Sequence, residues 1–148
     1  MTMADLAVTP RRRDAVRRHV GLIVMVVLLG LPTRLFPQYM PDFMVYYGGD
    51  VLWALMIFLL FGLLFPTAKQ RHVVLLTLAV TWGIEFSQLI HADWLEAIRS
   101  PKLGRLIFGY TFLWSDLVCY GCGIGAGVLL ERNFLLKPHQ IERIGHEN

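Results

Sequence analysis

Four apolar stretches, divided by prolines and polar clusters, set the organisation of the chain. They run from about His19 to Leu31, Asp50 to Phe65, His72 to Ile90 and Phe112 to Leu130. Each reads as a membrane-crossing helix, the first closed by Pro32 and the second by Pro66. The first two are short against the roughly twenty residues needed to cross hydrocarbon. Their flanks must therefore be helical, or the bilayer locally thin. The third stretch is interrupted by Glu85 and, three residues on, Gln88. Residues three apart on a helix share a face, so the carboxylate and the carboxamide point the same way. An ionisable group inside such a span faces a protein interior or a wet cavity.

The connections differ in length. Pro66 to Arg71 is a tight helix–helix link, whereas 32–49 and 91–111 are each about twenty residues, longer than a simple connector needs. Within the second, Asp93-Trp94-Leu95-Glu96-Ala97-Ile98-Arg99 has the spacing of a short amphipathic helix, with Trp94 suited to an interface. The stretch 103–114 would carry Arg105 into lipid as a fifth span, so it is expected to be a partly buried or re-entrant approach to the last helix. Thr9-Pro10 opens the first helix as a cap followed by proline at the first helical position.

Composition agrees with this pattern. Of 148 residues, 55% are apolar and 17% charged, which is too apolar for an ordinary soluble domain and fits a small polytopic membrane protein. The positive charge is uneven. With the N-terminus inside, the cytoplasmic side holds Arg11, Arg12, Arg13, Arg17, Arg18, Lys69, Arg71, Arg132, Lys137 and Arg143; the outer side holds Arg34, Arg99, Lys102 and Arg105. Ten against four favours an N-in/C-in topology with an even number of spans. The expectation is thus an all-α, four-helix membrane bundle with a structured outer loop before the last span: a basic segment at 1–18, the membrane domain at 19–131 and a polar, mobile tail at 132–148. The basic N-terminus reads as a cytoplasmic flank rather than a nucleic-acid site, because no recognition module accompanies it. No small-x-small cleavage site follows Leu31, so the first span is expected to be retained.

On this topology Asp50, Glu85 and Asp116 come to one level, just below the outer surface, from spans that alternate in direction. Gln88 and Trp53 accompany them, Tyr120 lies one turn below Asp116, and Trp114 and Ser115 can supply further hydrogen bonds. Arg34 and Arg99, in the two outer loops, are the candidate counter-charges. Together Arg34, Asp50, Trp53, Glu85, Gln88, Arg99, Trp114, Asp116 and Tyr120 form a candidate ligand site open to the extracytoplasmic side, with Glu85 and Asp116 as candidates for any acid–base chemistry. Two other readings compete. Buried charges can simply fix helix register, and a proton- or ion-coupled pathway would need polar residues continuing to the inner side.

Smaller features carry smaller expectations. Thr77 and Thr81 extend the Glu85 stripe inward and are expected to bond their own backbone. Gly121, Gly123, Gly125 and Gly127 form overlapping small-xxx-small pairs for close helix approach; no strand precedes them, so a dinucleotide fingerprint is excluded. Cys119 and Cys122 give a C-x-x-C without a second ligand pair, and His72 and His91 fall at span ends, so no metal or cofactor is expected.

Four strings taken together resemble a known family: Gly49-Asp50-Val51-Leu52-Trp53-Ala54-Leu55-Met56, Glu85-Phe86-Ser87-Gln88, Trp94-Leu95-Glu96-Ala97-Ile98-Arg99 and Phe112-Leu113-Trp114-Ser115-Asp116-Leu117-Val118-Cys119-Tyr120. They look like DUF2809, small bacterial membrane proteins of unknown function, with Leu31-Pro32-Thr33-Arg34 as the first element and Glu131 near the end of the match. The order Asp, Glu-x-x-Gln, Arg, Asp is more loosely similar to VanZ-like four-span proteins linked to glycopeptide-antibiotic resistance. In those the arginine usually stands nearer the last aspartate and an asparagine follows it; here Arg99 is distant and Tyr120 occupies the polar position. The resemblances imply a multi-pass protein of the bacterial inner membrane. Its partners would be membrane lipids and a cell-envelope lipid or wall-precursor group.

Overall fold

The computed structural model describes residues 10–135, other than 103, 105, 106 and 108–110. Among these the chain is all helical, without strands. The α-helices are α1 (Pro10–Leu35), α2 (Gly49–Leu64), α3 (Gln70–Ser87), α4 (Asp93–Arg99) and α5 (Trp114–Leu130). A short 3-10 turn (Pro37–Tyr39) follows α1, and a π-helical turn (Met44–Gly48) runs directly into α2. A second π-helical turn, Glu131–Leu135, extends α5. Pro10 stands at the start of α1, as the sequence leads one to expect; its Thr9 cap, the stretch 103–114 in large part and the tail from 136 lie outside the described residues.

The first helix is longer than its apolar pattern indicates. Pro32 does not end it but lies inside α1, three residues before the end. A proline removes one N–H and presses on the carbonyl four residues back. Here it falls in the last turn, where little helix remains to be disrupted. The Thr33 hydroxyl donates to the Gly30 carbonyl at 2.7 Å, satisfying a neighbouring acceptor. Arg34 consequently belongs to a helix end rather than a loop. The π-turn lengthens α2 in the same way. Two helical runs, Val16–Leu35 and Met44–Leu64, are long and apolar enough to cross a membrane. The other two long helices, α3 and α5, have 18 and 17 residues.

α2 is the hub: it packs against α1, α3 and α5, and α3 also packs against α5. The core contains Val26 of α1, Ala54, Leu55, Phe58 and Leu59 of α2, Val73 of α3, and Tyr120 and Ile124 of α5. Gly30 faces Leu52, and Gly62 faces His19, so α1 and α2 are antiparallel. Gly123 faces Val51, Ala54 and Leu55, and Gly127 faces Phe58, so α5 runs parallel to α2. Gln70 donates to Glu131 at 2.8 Å and accepts from Arg132 at 3.3 Å, which ties the start of α3 to the end of α5. The ends of α1 and α3 therefore meet the starts of α2 and α5.

Of the two interleaved glycine pairs on α5, only one is used for packing. A Cβ on Gly123 would lie 2.2 Å from the Val51 carbonyl oxygen, and one on Gly127 would lie 2.4 Å from the Phe58 ring; Gly121 and Gly125 meet nothing within 4 Å. Where lipid replaces water, helix association depends on such close backbone contact rather than on apolar burial. Gly123→Ala must push α5 off α2 and is expected to cost about 2 kcal/mol or more, the upper part of the overpacking range. Gly125→Ala should be neutral or stabilising by up to about 1 kcal/mol through helix propensity. Thermal unfolding of the two variants in detergent checks this, with opposite signs expected.

Candidate functional site

α3 buries a single stripe: Val73, Thr77, Thr81 and Glu85, at intervals of four, then Gln88. This is the face that the Glu85–Gln88 spacing marks. Thr77 donates to the Val73 carbonyl at 2.7 Å and Thr81 to the Thr77 carbonyl at 2.9 Å, so both hydroxyls bond their own helix as expected. Glu85 ends the α-helical stripe and is completely buried. Its Oε2 accepts from the Tyr120 hydroxyl at 2.9 Å and from the Gln88 amide at 3.0 Å. Its Oε1 accepts from the Leu113 backbone N–H at 3.0 Å. One carboxyl group thus joins α3, the interior of α5 and the segment that leads into α5.

Asp50, in the first turn of α2, pairs with Arg34 at the end of α1. Gly49 makes room for this: a Cβ there would lie 3.0 Å from both Arg34 Nε and Thr33 Oγ1. Asp116, in the first turn of α5, is buried and accepts the Ser115 hydroxyl at 3.1 Å. No ion pair involving Glu85 or Asp116 is formed among the described residues.

A cavity of about 420 Å³ opens where these groups meet. Arg34, Asp50, Trp53, Glu85, Gln88, Asp116 and Tyr120 all line it. Seven of the nine sequence-marked residues therefore converge. Arg99 and Trp114 do not line it. Arg99 is buried elsewhere, under α4, where it donates to the Ser87 hydroxyl at 3.0 Å and reaches the Ile90 carbonyl at 3.5 Å. It fastens α4 to the end of α3 instead of facing the acids. Trp114 is 73% exposed and meets Phe112 edge-on.

The cavity has walls that the acidic pattern did not reveal. Val45 and Tyr46 from the π-turn, Thr33 from α1, and Thr111 and Leu113 before α5 also line it. A π-turn adds a residue to the helical repeat and re-aims the side chains before it. Tyr46 stands four residues before Asp50, so continuing the helical period upstream would have found it. Leu113 contributes a backbone N–H to Glu85, for which side-chain identity gives no signal. Among the described residues no three His, Cys, Asp or Glu side chains are placed to hold a metal ion. The cysteines are free thiols, Cys119 buried and Cys122 exposed.

These features define an all-helical protein, with two helices able to cross a membrane and an acidic cavity at one end of its helices. The profile of the family described as "Protein of unknown function (DUF2809)" matches residues 39–124, more than half of the chain. The chain belongs to DUF2809. The matched residues include Asp50, Glu85, Gln88, Asp116 and Tyr120; Arg34 precedes them. No solved structure matches the chain.

Replacing Glu85 discriminates shape from charge. In Glu85→Gln the carbonyl can keep the Leu113 N–H while the new amide donates to a rotated Tyr120 hydroxyl and a flipped Gln88. Glu85→Ala leaves three donors without their acceptor, each costing about 1–3 kcal/mol when buried. Glu85→Ala is expected to lose roughly 3 kcal/mol or more by that principle, and Glu85→Gln much less. Thermal midpoints in detergent measure the difference; equal losses would contradict the hydrogen-bond assignment.

Proposed function

We propose that the protein is a four-span membrane bundle, N-in/C-in, whose cavity faces the extracytoplasmic side and binds the polar group of a cell-envelope lipid or wall precursor. On this reading α1, α2, α3 and α5 are the spans of one domain at 19–131, set in a bacterial inner membrane, with 1–18 and the tail from 132 in the cytoplasm. Three observations support the placement. Neither of the two long apolar runs is buried inside the protein along most of its length, and unburied apolar surface on this scale calls for lipid or a partner. Exposed aromatic side chains gather at the cavity end: Tyr39, Phe43, Tyr46, Trp82, Trp94 and Trp114. Such side chains favour the membrane–water boundary. The arginine-rich start of α1 lies at the opposite end, where the positive-inside rule expects the cytoplasm.

The single observation that carries the binding reading is the cavity itself. Four helices bring three carboxyl groups, an arginine, a tyrosine and a glutamine to one open space, and fixing helix register needs only one such pair. Glu85 is already satisfied by three donors. Among the described residues Asp116 accepts only the neighbouring Ser115 hydroxyl, so it is the acid available to accept hydrogen bonds from a ligand hydroxyl or amine. Arg99, which the sequence offered as a counter-charge in the ligand site, does not line the cavity, so that part of the expected recognition has no support. Passage of ions draws less support than binding: inward of Glu85 the buried stripe continues as Thr81, Thr77 and Val73, with both hydroxyls committed to the backbone.

Native mass spectrometry of gently extracted protein tests the reading. The unmutated protein is expected to carry an envelope lipid or precursor, and Asp116→Asn to lose it while its thermal midpoint stays within a few degrees. No bound envelope molecule on the unmutated protein, or equal occupancy in Asp116→Asn, would contradict it.

A further inference from the structure

A second, apolar cavity of about 190 Å³ lies between α1 and α2. Val26, Val27, Gly30 and Leu31 form one wall, and Leu52 and Met56 the other. Arg34 and Trp53 line this groove and also the acidic cavity, so the two spaces meet at these side chains. Gly30 lines the groove opposite Leu52: a Cβ there would lie 3.4 Å from Leu52 Cβ, in ordinary contact, so a larger side chain would project into the space. An apolar slot that opens into a polar chamber has the form of a site for a molecule with a tail and a head.

The charges order the head. At the junction stands Arg34, which gives one bond to Asp50 but carries five N–H donors and has a side chain 37% exposed. Further in, the described residues of the chamber include Asp50, Glu85 and Asp116 against that one arginine, an excess of acid among them. A phosphate beside the tail would meet Arg34, and a cation or hydrogen-bond donor beyond it would meet Asp116. An anionic terminus would face carboxylates instead.

Resting on the binding function proposed above, we infer that the ligand is an amphiphile whose alkyl chain lies in the α1–α2 groove, whose phosphate contacts Arg34 and whose terminal ammonium points to Asp116. Ethanolamine phospholipids have this order of groups and serve as the probe.

Titration of the full chain in a neutral detergent, read by native mass spectrometry, compares three probes. They are a single-chain ethanolamine lysophospholipid, its glycerol-headed counterpart and tail-free glycerophosphoethanolamine. The ethanolamine lysolipid is expected to bind at least tenfold more tightly than either of the others. Gly30→Leu fills the groove without touching the acids. It should bring lysolipid affinity down to that of the tail-free compound and leave the tail-free compound unchanged; Val27→Phe, from the same wall, should do the same if the first variant does not fold. Asp116→Asn should remove the preference for ethanolamine over glycerol. Tail-free and acylated probes binding alike, or groove-filled variants that keep full lysolipid affinity, would overturn the inference while leaving headgroup recognition standing. Preference for the glycerol head would overturn the assigned charge order. Failure of all three probes to bind the unmutated protein would overturn the inference, and failure of the same preparation to retain any envelope molecule would remove the binding function with it.

Discussion

The carboxyl group of Glu85 holds the cavity end of the protein together. Without bonds, a polar group sealed from solvent costs several kcal/mol; Glu85 accepts three, from Tyr120, Gln88 and the Leu113 backbone. These donors come from different parts of the chain, so satisfying one buried acid fixes the end of α3, the interior of α5 and the approach to α5 at once. The Arg34–Asp50 pair does the corresponding work for α1 and α2. The remainder of the molecule supplies contact without charge: Gly123 and Gly127 let α5 lie against α2, and Gln70 with Glu131 and Arg132 closes the far end. Polar ties at both ends with small residues between them would suit helices in lipid, where apolar burial contributes little to association.

This arrangement separates two kinds of acid. Glu85 and Asp50 are engaged with protein donors and make the chamber. Asp116 sits in the same wall with Ser115 as its one hydrogen-bond partner among the described residues, and on the proposed reading it is the group that serves a ligand. The apolar groove adds the other half of an amphiphile site, and Arg34 belongs to both halves. A residue that holds α1 to α2 thus also stands where head and tail of a bound molecule would join, which couples the fold of the first two helices to recognition.

Much of this was legible in the sequence because helical period and alternating direction are strong constraints. Glu85 and Gln88 had to share a face, and Asp50 and Asp116 had to reach the same level. The short helix Asp93–Arg99 appears where its spacing placed it. The failures have physical causes. Pro32 reads as a terminator, yet a proline in the last turn sacrifices little, so α1 runs to Leu35 and carries Arg34 on a helix end. Arg99 reads as a counter-charge, but a seven-residue helix buries it against Ser87 and Ile90 instead; charge balance alone does not fix where a loop folds. The π-turn and the Leu113 N–H involve backbone geometry, which residue identity does not encode locally. The interleaved glycines of α5 are equivalent in sequence, and only packing chose Gly123 and Gly127.

The central claim is that the chamber opens on one side of a membrane crossed by these helices. Single cysteines at Tyr39 and Ala68, in a background where Cys119 and Cys122 are alanine, mark the cavity-end loop and the α2–α3 link, both exposed. With a membrane-impermeant maleimide, Tyr39→Cys should label in right-side-out vesicles and Ala68→Cys only in inside-out vesicles. Labelling of both from the same face, or the reverse pattern, would contradict the account.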